Sequence, residues 1–305
     1  MIRKWWFVVV PLVGLAEVGL HAKQLHDVVP ESDWAAARAS VEKSIRPDDQ
    51  ILFAPMWADP VGRQAFGPAL LTMARAARAD DSRFARVFVV SIRGSSREEV
   101  AGWRAASHER QGAVAITVFE NPSYRKIVDD LVGRVRPETL SVTRLDAGDA
   151  ESPCPWAPGR TQSGGTYYPA GMAIPGEKFQ CPTTVVGVSV IQALDHSARR
   201  CILAAPPGAG GTLRLRFSDV AFGTSLRGHH GIHYEAERHL GGAPVTLVFK
   251  HGDRTIGQST HRDGQGWSGF EFETAELAGQ RGPLVVEISA ANNTNRKYCF
   301  EADTR

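Results

Sequence analysis

Residues 212–217 read Thr-Leu-Arg-Leu-Arg-Phe, so apolar and polar side chains alternate without interruption. Strict alternation places the apolar side chains on one face of a strand and the arginines on the other. The same period recurs at 231–237 and 245–249, and a His-Gly-Asp turn joins the latter stretch to a returning strand at 255–261. About eight or nine short strands of this kind lie within 183–305, which predicts an antiparallel β-sandwich of the jelly-roll type.

The first half of the chain has short apolar runs in place of this alternation. Short apolar runs at 51–54, 87–91 and 114–119 are typical of buried strands in a parallel sheet. Because segments of helical composition separate them, we predict a small, mostly parallel, three-layer α/β domain over 32–145. The expected helices span about 32–45, 67–79, 97–110 and 124–135, and a last strand is expected at 139–145.

An N-terminal segment, 1–23, and a linker, 146–182, complete the predicted organisation. Arg3 and Lys4 precede an apolar run, the pattern of an export signal or of an uncleaved signal-anchor. An uncleaved membrane helix would hold the protein at the inner membrane and place the remainder in the periplasm. A buried helix of a cytosolic protein is the alternative. The linker is dense in proline, glycine and serine, which indicates irregular, turn-rich structure.

The densest polar cluster lies on the predicted strand at 231–237 and just before it. On a strand, His233 and Glu235 would share a face about 6–7 Å apart, where they could bind a transition metal or contact a sugar. A solvated strand face is the alternative. Trp267 lies in a glycine-flanked loop, where it could stack on a pyranose ring or fill the core. The ligand-binding candidates of this half are Arg227, His229, His230, His233, Glu235 and Trp267.

A second set of candidates follows the predicted strands of the first half. In parallel sheets, ligands bind beyond the carboxyl ends of the strands. Arg93 and Ser95 precede an expected helix, whose N-terminus could hold an anion. Asp59 and Glu120 follow other predicted strands and could join them. The alternatives are a helix cap at Ser95 and a simple turn at Asp59.

Sequence signatures of a reaction or a cofactor are missing from the chain. There is no GxGxxG after the first strand, no GxxxxGK[ST], no GxSxG and no CxxC, so we predict no cofactor and no metal. The 35 basic and 33 acidic residues give a net charge of +2, which does not indicate nucleic-acid binding. A binding role is favoured, and a hydrolase or transferase with its site at the strand ends is the alternative.

Four stretches of the second half, at 200–202, 213–217, 263–267 and 296–300, together resemble galactose-binding-like jelly-roll domains. Such domains are often carbohydrate-binding modules of extracytoplasmic bacterial proteins. The resemblance therefore implies a glycan as partner.

In the first half, 33–37 and 47–52 are similar to the soluble periplasmic α/β region of bacterial lipid-linked-sugar glycosyltransferases. The chain lacks the multi-span membrane part that carries catalysis in those enzymes, so transferase activity is not implied. Together with the N-terminal segment, the two resemblances favour a membrane-anchored, non-catalytic periplasmic protein. It would bind glycan, envelope material or a lipid-linked sugar, or support a membrane glycosyltransferase as its protein partner.

All four cysteines lie in the second half of the chain. An even set in an exported protein indicates disulfides. In jelly rolls an early strand and the final strand are commonly neighbours, which favours Cys201 with Cys299. Cys154 with Cys181 would then tie the linker to the sandwich. Four reduced, partly buried thiols are the alternative.

Overall fold

A computed structural model describes residues 6–26, 28–146, 150–163 and 172–305. The chain divides into two compact units. The first unit comprises Met1–Leu71 and Ala85–Pro122, and the second comprises Thr72–Phe84 and Ser123–Arg305. These limits differ from the predicted domains 32–145 and 183–305. Arg3, Lys4 and parts of the predicted linker lie outside the described residues.

In its described residues, the first unit contains three α-helices and four strands. Their bounds are α1 Trp6–His26, α2 Glu31–Ser44, β1 Asp49–Ala54, α3 Asp59–Leu70, β2 Arg86–Ile92, β3 Ala105–Gln111 and β4 Val114–Glu120. The strand order in the sheet is β1-β2-β4-β3. Of these four described strands, β1 and β2 run parallel, whereas β4 is antiparallel to both β2 and β3.

The predicted mostly parallel sheet is therefore wrong. Its cause lies at 97–110, where a helix was expected and the structure has a short 3₁₀ turn followed by β3. Two residues separate β3 from β4, and the first, Gly112, has a φ of 59°. A two-residue connection with positive φ joins antiparallel strands, since a parallel pair needs a crossover of a dozen or more residues.

Helices α2 and α3 pack on one face of this sheet. Trp34 from α2 and Phe66 from α3 bury against Phe53 of β1 and Phe88 of β2. The other face carries a smaller apolar cluster, covered by Val100 and Trp103 of the turn region rather than by a helix. Among the described residues the unit thus has a two-layer arrangement, not the predicted three layers.

Two further helices were expected and do not form as predicted. In place of the single helix expected at 67–79, α3 kinks at Gly67, which has a φ of 72° and precedes Pro68, and ends at Leu70, and a separate short helix spans Met73–Ala76. The helix expected at 124–135 is replaced by a short bridge and a 3₁₀ turn within the second unit.

Helix α1 occupies the predicted N-terminal segment. Its aliphatic side chains from Val8 to Leu20 are largely exposed. No helix in the described part of the chain is long and apolar enough to span a membrane.

The second unit is a β-sandwich, as predicted. The bounds of its described elements are α4 Met73–Ala76, β5 Asp129–Asp130, β6 Leu140–Leu145, β7 Glu151–Pro153, β8 Trp156–Ala157, β9 Gln162–Ser163, β10 Ala173–Ile174, β11 Lys178–Gln180, β12 Val185–Gln192, β13 Ala198–Ala204, β14 Thr212–Ala221, β15 Ser225–Ile232, α5 Tyr234–Glu237, β16 Val245–His251, β17 Arg254–His261, β18 Ser268–Glu273, β19 Arg281–Ser289 and β20 Tyr298–Thr304. The two large sheets have the strand orders β18-β15-β20-β13-β12-β11-β8, with β5 beside β20, and β17-β16-β19-β14-β6-β7.

The core of the sandwich lies between its two large sheets. Leu213, Leu215 and Phe217 of β14 are all fully buried, which confirms the face predicted from their alternation. The strand expected at 139–145 forms as β6, but it pairs with β14 of the sandwich and not with the first sheet. Described parts of the predicted linker also supply strands, since β7 pairs with β6 and β8 pairs with β11.

Both predicted disulfides are confirmed, Cys154 with Cys181 and Cys201 with Cys299. All four residues are buried. Paired disulfides are typical of proteins outside the cytoplasm. They therefore indicate an extracytoplasmic location.

Candidate functional site

An exposed tryptophan stands at one end of the first sheet. Because β1 and β2 are parallel, their carboxyl ends meet at the same edge, and the chain leaves β1 through a 3₁₀ turn, Met56–Ala58. This turn presents Trp57 with 61% of its surface exposed. Beside it is a cavity of about 180 Å³. The lining residues are Val28, Val29, Trp34, Trp57, Ala58, Val61, Ile92 and Arg93.

Arg93 supplies the cation of this site. It follows β2 in a tight turn in which the Ser95 amide donates to the Ile92 carbonyl at 3.1 Å. Arg93 has a φ of 56° and Gly94 a φ of 68°. The turn places the guanidinium carbon of Arg93 5.5 Å from the centroid of the Trp57 ring, within the range of a cation–π contact. We call Trp57, Arg93 and the adjoining cavity the Trp57 face.

The other residues predicted at the strand ends do not assemble there as expected. Asp59 begins α3 and forms an exposed ion pair with Arg63 one turn later. No helix begins at Ser95 in the described chain, so the expected helix N-terminus for an anion is wrong. Glu120 lies at the opposite end of the sheet, opposite Arg86, because β4 runs antiparallel to β2.

Two of the candidate ligand residues on the sandwich, His229 and Trp267, contact each other and other groups of the second unit. His229 and Trp267 are stacked, with ring centroids 6.1 Å apart and an interplanar angle of 9°. The His229 Nδ1 atom is 2.8 Å from a carboxylate oxygen of Glu301. The Trp267 indole N–H donates to the carbonyl of Ala79 at 3.2 Å. Both rings are therefore already engaged within the second unit.

The segment 77–84, which we call the strap, covers this part of the sandwich. The Arg200 amide donates to the Ala77 carbonyl at 2.8 Å, and Arg199 donates to the Arg78 carbonyl at 3.0 Å. Asp80 of the strap pairs with Arg305 at 3.1 Å. The predicted ligand surface around Trp267 is thus occupied by the chain's own backbone and carboxylate.

Charge is concentrated beneath the strap. Burial alone would raise the pKa of Asp80, but Arg305, the Ser82 hydroxyl, His229 and Arg227 together lower it below its ordinary value. Burial raises the pKa of Asp303 to about 6, against the hydrogen bonds that Arg305 donates to it. These groups satisfy one another's charges and hydrogen bonds, which is the pattern of a structural network and not of an open binding site.

The remaining histidine candidates lie in the interior. His230 is buried, with Nδ1 2.7 Å from the Tyr298 hydroxyl and Nε2 3.1 Å from that of Ser259. Burial lowers its pKa to about 3, with help from His261 and His229. The strand expected at 231–237 is wrong: β15 ends at Ile232, and His233 caps α5 by accepting the Glu235 amide at 3.3 Å.

His233 and Glu235 therefore do not share a strand face. A buried pair nearby, Glu237 and His261, is 3.1 Å apart. Within the residues that the structure describes, no group of three or more His, Cys, Asp or Glu side chains could hold a metal ion.

Sequence reasoning placed a site at the strand ends but missed Trp57 as its central residue. The available signal was an aromatic residue between two prolines, Pro55 and Pro60, directly after a buried strand. Prolines at such positions hold a turn at the surface, where a large ring has no core to fill.

Known proteins offer only distant comparisons. No family model and no curated protein matches the chain. The CBM51-2 and INT domains of Clostridium perfringens ZmpB, solved with GlcNAc, align at 8% identity and a TM-score of 0.29, over 54% of this chain and 37% of that chain. TmCBM61 in complex with β-1,4-galactotriose aligns at 12% identity and a TM-score of 0.25, over 38% of this chain and 77% of that chain.

The secreted serine protease VesC from Vibrio cholerae aligns at 9% identity and a TM-score of 0.25, over 72% of this chain and 42% of that chain. This chain thus spans less than half of the ZmpB and VesC chains. Similarities at such TM-scores carry no argument about its ligand. The likeness of the first half to glycosyltransferase regions stays a prediction.

Proposed function

We propose that this chain is an extracytoplasmic, non-catalytic binding protein for a glycan and that the ligand contacts the Trp57 face. The observation that carries the proposal is the 61% exposure of Trp57 beside a preformed cavity. An exposed indole supplies the flat apolar surface on which a sugar ring can stack, and Arg93 supplies donors for its oxygen atoms. Trp267, the aromatic residue expected from the sequence, has its N–H engaged by the strap.

The lining of the cavity favours binding over catalysis. Apart from Arg93, the residues lining it are apolar, and none carries a carboxylate or an imidazole. Hydrolysis or group transfer by acid–base catalysis needs groups that exchange protons near neutral pH. An accessory role beside a membrane glycosyltransferase, and anchoring by α1, rest on sequence resemblance and pattern alone.

A glycan array probed with the full chain tests this proposal, using Trp57→Ala and Trp267→Ala as a matched pair. We expect Trp57→Ala to weaken binding at least about tenfold, since truncating a central aromatic contact removes more than about 1–2 kcal/mol. Trp267→Ala should retain the array profile and lower only the stability. Loss of binding in Trp267→Ala alone, or no glycan bound by the parent protein, would contradict the proposal.

A further inference from the structure

The strap contacts the sandwich mainly through oxygen atoms that face hydrogen-bond donors. Three successive backbone carbonyls precede Asp80 in the strap. They accept hydrogen bonds from the Arg200 amide, the Arg199 guanidinium and the Trp267 indole N–H. The Asp80 carboxylate then accepts a hydrogen bond from Arg305 at 3.1 Å. The surface beneath the strap thus presents its donors in the order in which an extended peptide presents its oxygen atoms.

One of these contacts continues the edge of a strand. β13 pairs with β20 at Ile202 and Leu203, and two residues earlier the Arg200 amide donates to the Ala77 carbonyl of the strap at 2.8 Å. Extended peptides bind to proteins by main-chain hydrogen bonds to strand edges of this kind. Because the contact uses the peptide backbone, it requires no particular side chain, and a peptide from another protein can form it.

Apolar packing does not hold the middle of the strap. Within 77–81, the buried apolar side chains are the methyl groups of Ala77 and Ala79, and neither belongs to the apolar core of the sandwich or to its smaller apolar cluster. Phe84 is buried at the end of the strap. Polar contacts can be exchanged for equal contacts with a separate peptide, whereas a segment that fills a core leaves a cavity when it departs.

The strap leaves part of the donor capacity of this surface unused. Arg227 lies 3.8 Å from the Asp80 carboxylate, beyond hydrogen-bond distance. The Arg199 Nε atom is buried and has no hydrogen-bond partner among the residues that the structure describes. Since a buried donor without a partner is costly, a ligand with further oxygen atoms would be favoured here. Clusters of arginine are a recurring means of binding acidic motifs.

We call the donors beneath the strap the strap site, which comprises Arg199, Arg200, Arg227, Trp267 and Arg305. We infer that the strap site binds an extended acidic peptide of a partner protein, and that the strap occupies it as a tethered ligand of the same chemistry. The partner's peptide would offer three successive backbone carbonyls followed by an aspartate. The strap site belongs to the second unit and the Trp57 face to the first, so this inference does not rest on the proposed glycan.

Fluorescence anisotropy with a labelled, end-capped peptide of the strap sequence, Ala-Arg-Ala-Asp-Asp-Ser-Arg-Phe, tests the inference. In the parent protein the tethered strap competes at an effective concentration on the order of millimolar, so the peptide should bind weakly. In the full-chain variant Asp80→Ala the strap lacks its carboxylate, and we expect the peptide to bind at least about tenfold more tightly than to the parent. Asp80→Asn, which keeps the size of the side chain, gives the same comparison with less disturbance of folding.

Two altered peptides of equal net charge distinguish recognition from general electrostatic attraction. The peptide with Asp80→Ala should bind the Asp80→Ala chain at least about tenfold more weakly than the strap peptide, because it lacks the carboxylate that Arg305 binds. The peptide with Asp81→Ala is the matched control and should keep its affinity, because Asp81 pairs with Arg78 of the strap itself. Adding Trp267→Phe to the Asp80→Ala chain should weaken the strap peptide about fivefold, because one N–H donor is removed.

Failure of the strap peptide to bind either Asp80 variant, or equal binding of the three peptides, would overturn the inference. Binding of an oligogalacturonate to the Asp80→Ala chain without binding of the strap peptide would also overturn it, because the strap site would then take an acidic sugar. Glycan binding by the parent protein that depends on Trp57 is compatible with every one of these results. The inference and the proposed function can therefore fail separately.

Discussion

Arg93 combines an unfavourable backbone with a side chain that forms the candidate site. The left-handed conformation costs a residue with a Cβ atom about 1–2 kcal/mol, and glycine avoids this cost. The cation–π contact of Arg93 with Trp57 stabilises the folded chain by about 0.5–1 kcal/mol at an exposed position. The local balance is therefore close to zero or unfavourable, which is common where a side chain serves a ligand.

This balance predicts opposite effects of Arg93→Gly on stability and binding. We expect the free energy of unfolding in urea to stay unchanged or rise by up to about 1 kcal/mol, while ligand affinity falls. Ala209→Gly is the control, since Ala209 has a φ of 50° in the second unit. It should change stability in the same direction with no effect on ligand affinity. A clear loss of stability in Arg93→Gly alone would contradict the prediction.

His230 makes the second unit sensitive to acid. Its pKa is about 3 in the folded chain, whereas a histidine in an unfolded chain titrates near 6.5. The unfolded state therefore takes up the proton first, and stability falls as the pH drops from 6.5 toward 3. Asp303 acts in the opposite sense, because its raised pKa of about 6 makes its stabilising contribution disappear as the pH rises from about 4 to 6.

Replacing His230→Asn should flatten the loss of stability below pH 6.5. The maximum slope that one histidine contributes is about 1.4 kcal/mol per pH unit. Urea unfolding of parent and variant between pH 4 and 7 measures the difference, in which the contribution of Asp303 cancels. His196→Asn is the control, because His196 is exposed. Parallel pH profiles for the parent and His230→Asn would show that this histidine does not control the acid response.

At the scale of elements, the strap is held by specific charge. Its carboxylate, Asp80, has a side chain only 12% exposed, whereas the neighbouring Asp81 is 46% exposed. We expect Asp80→Ala to lower the free energy of unfolding by about 3 kcal/mol, because it leaves the buried cations beneath it under-compensated. The surface pair of Asp81 contributes less than about 1 kcal/mol, so Asp81→Ala is the matched control.

Displacement of the strap has a second readout. Because Trp267 donates to Ala79, loosening the strap should expose the indole. Iodide quenching of tryptophan fluorescence should increase in Asp80→Ala, and that increase should vanish when Trp267→Phe is added. Equal quenching in Asp80→Ala and Asp81→Ala would mean that the strap stays in place without its carboxylate.

Structure could be predicted from the sequence where the signal lies within the element itself. The strand at 212–217 was predictable because alternation alone fixes its buried face. The strand within 97–110 was not predictable, because the alanines, glutamates and arginines of this segment favour a helix locally. The turn at Gly112 and pairing with β4 favour a strand instead. Glu120 was misplaced because strand direction depends on a partner that a single strand does not reveal.

At the scale of the whole molecule, two disulfides close loops of different length. The partners are separated by 27 residues in Cys154–Cys181 and by 98 residues in Cys201–Cys299. On the chain-entropy model, these loops correspond to about 3.6 and about 4.7 kcal/mol. We expect the double replacement Cys201→Ala with Cys299→Ala to destabilise more than Cys154→Ala with Cys181→Ala in urea unfolding. The reverse order would indicate that packing at the linker outweighs loop closure.

The early position of the strap in the sequence has a consequence for folding during synthesis. Asp80 is made 225 residues before its partner Arg305. At a synthesis rate of about 5–20 residues per second, about 10 to 45 s separate the two. During that interval the strap, including the otherwise buried Phe84, has no sandwich to cover. The strap therefore stays uncovered on the nascent chain for tens of seconds, and its ion pair with Arg305 can form only after β20 has been synthesised.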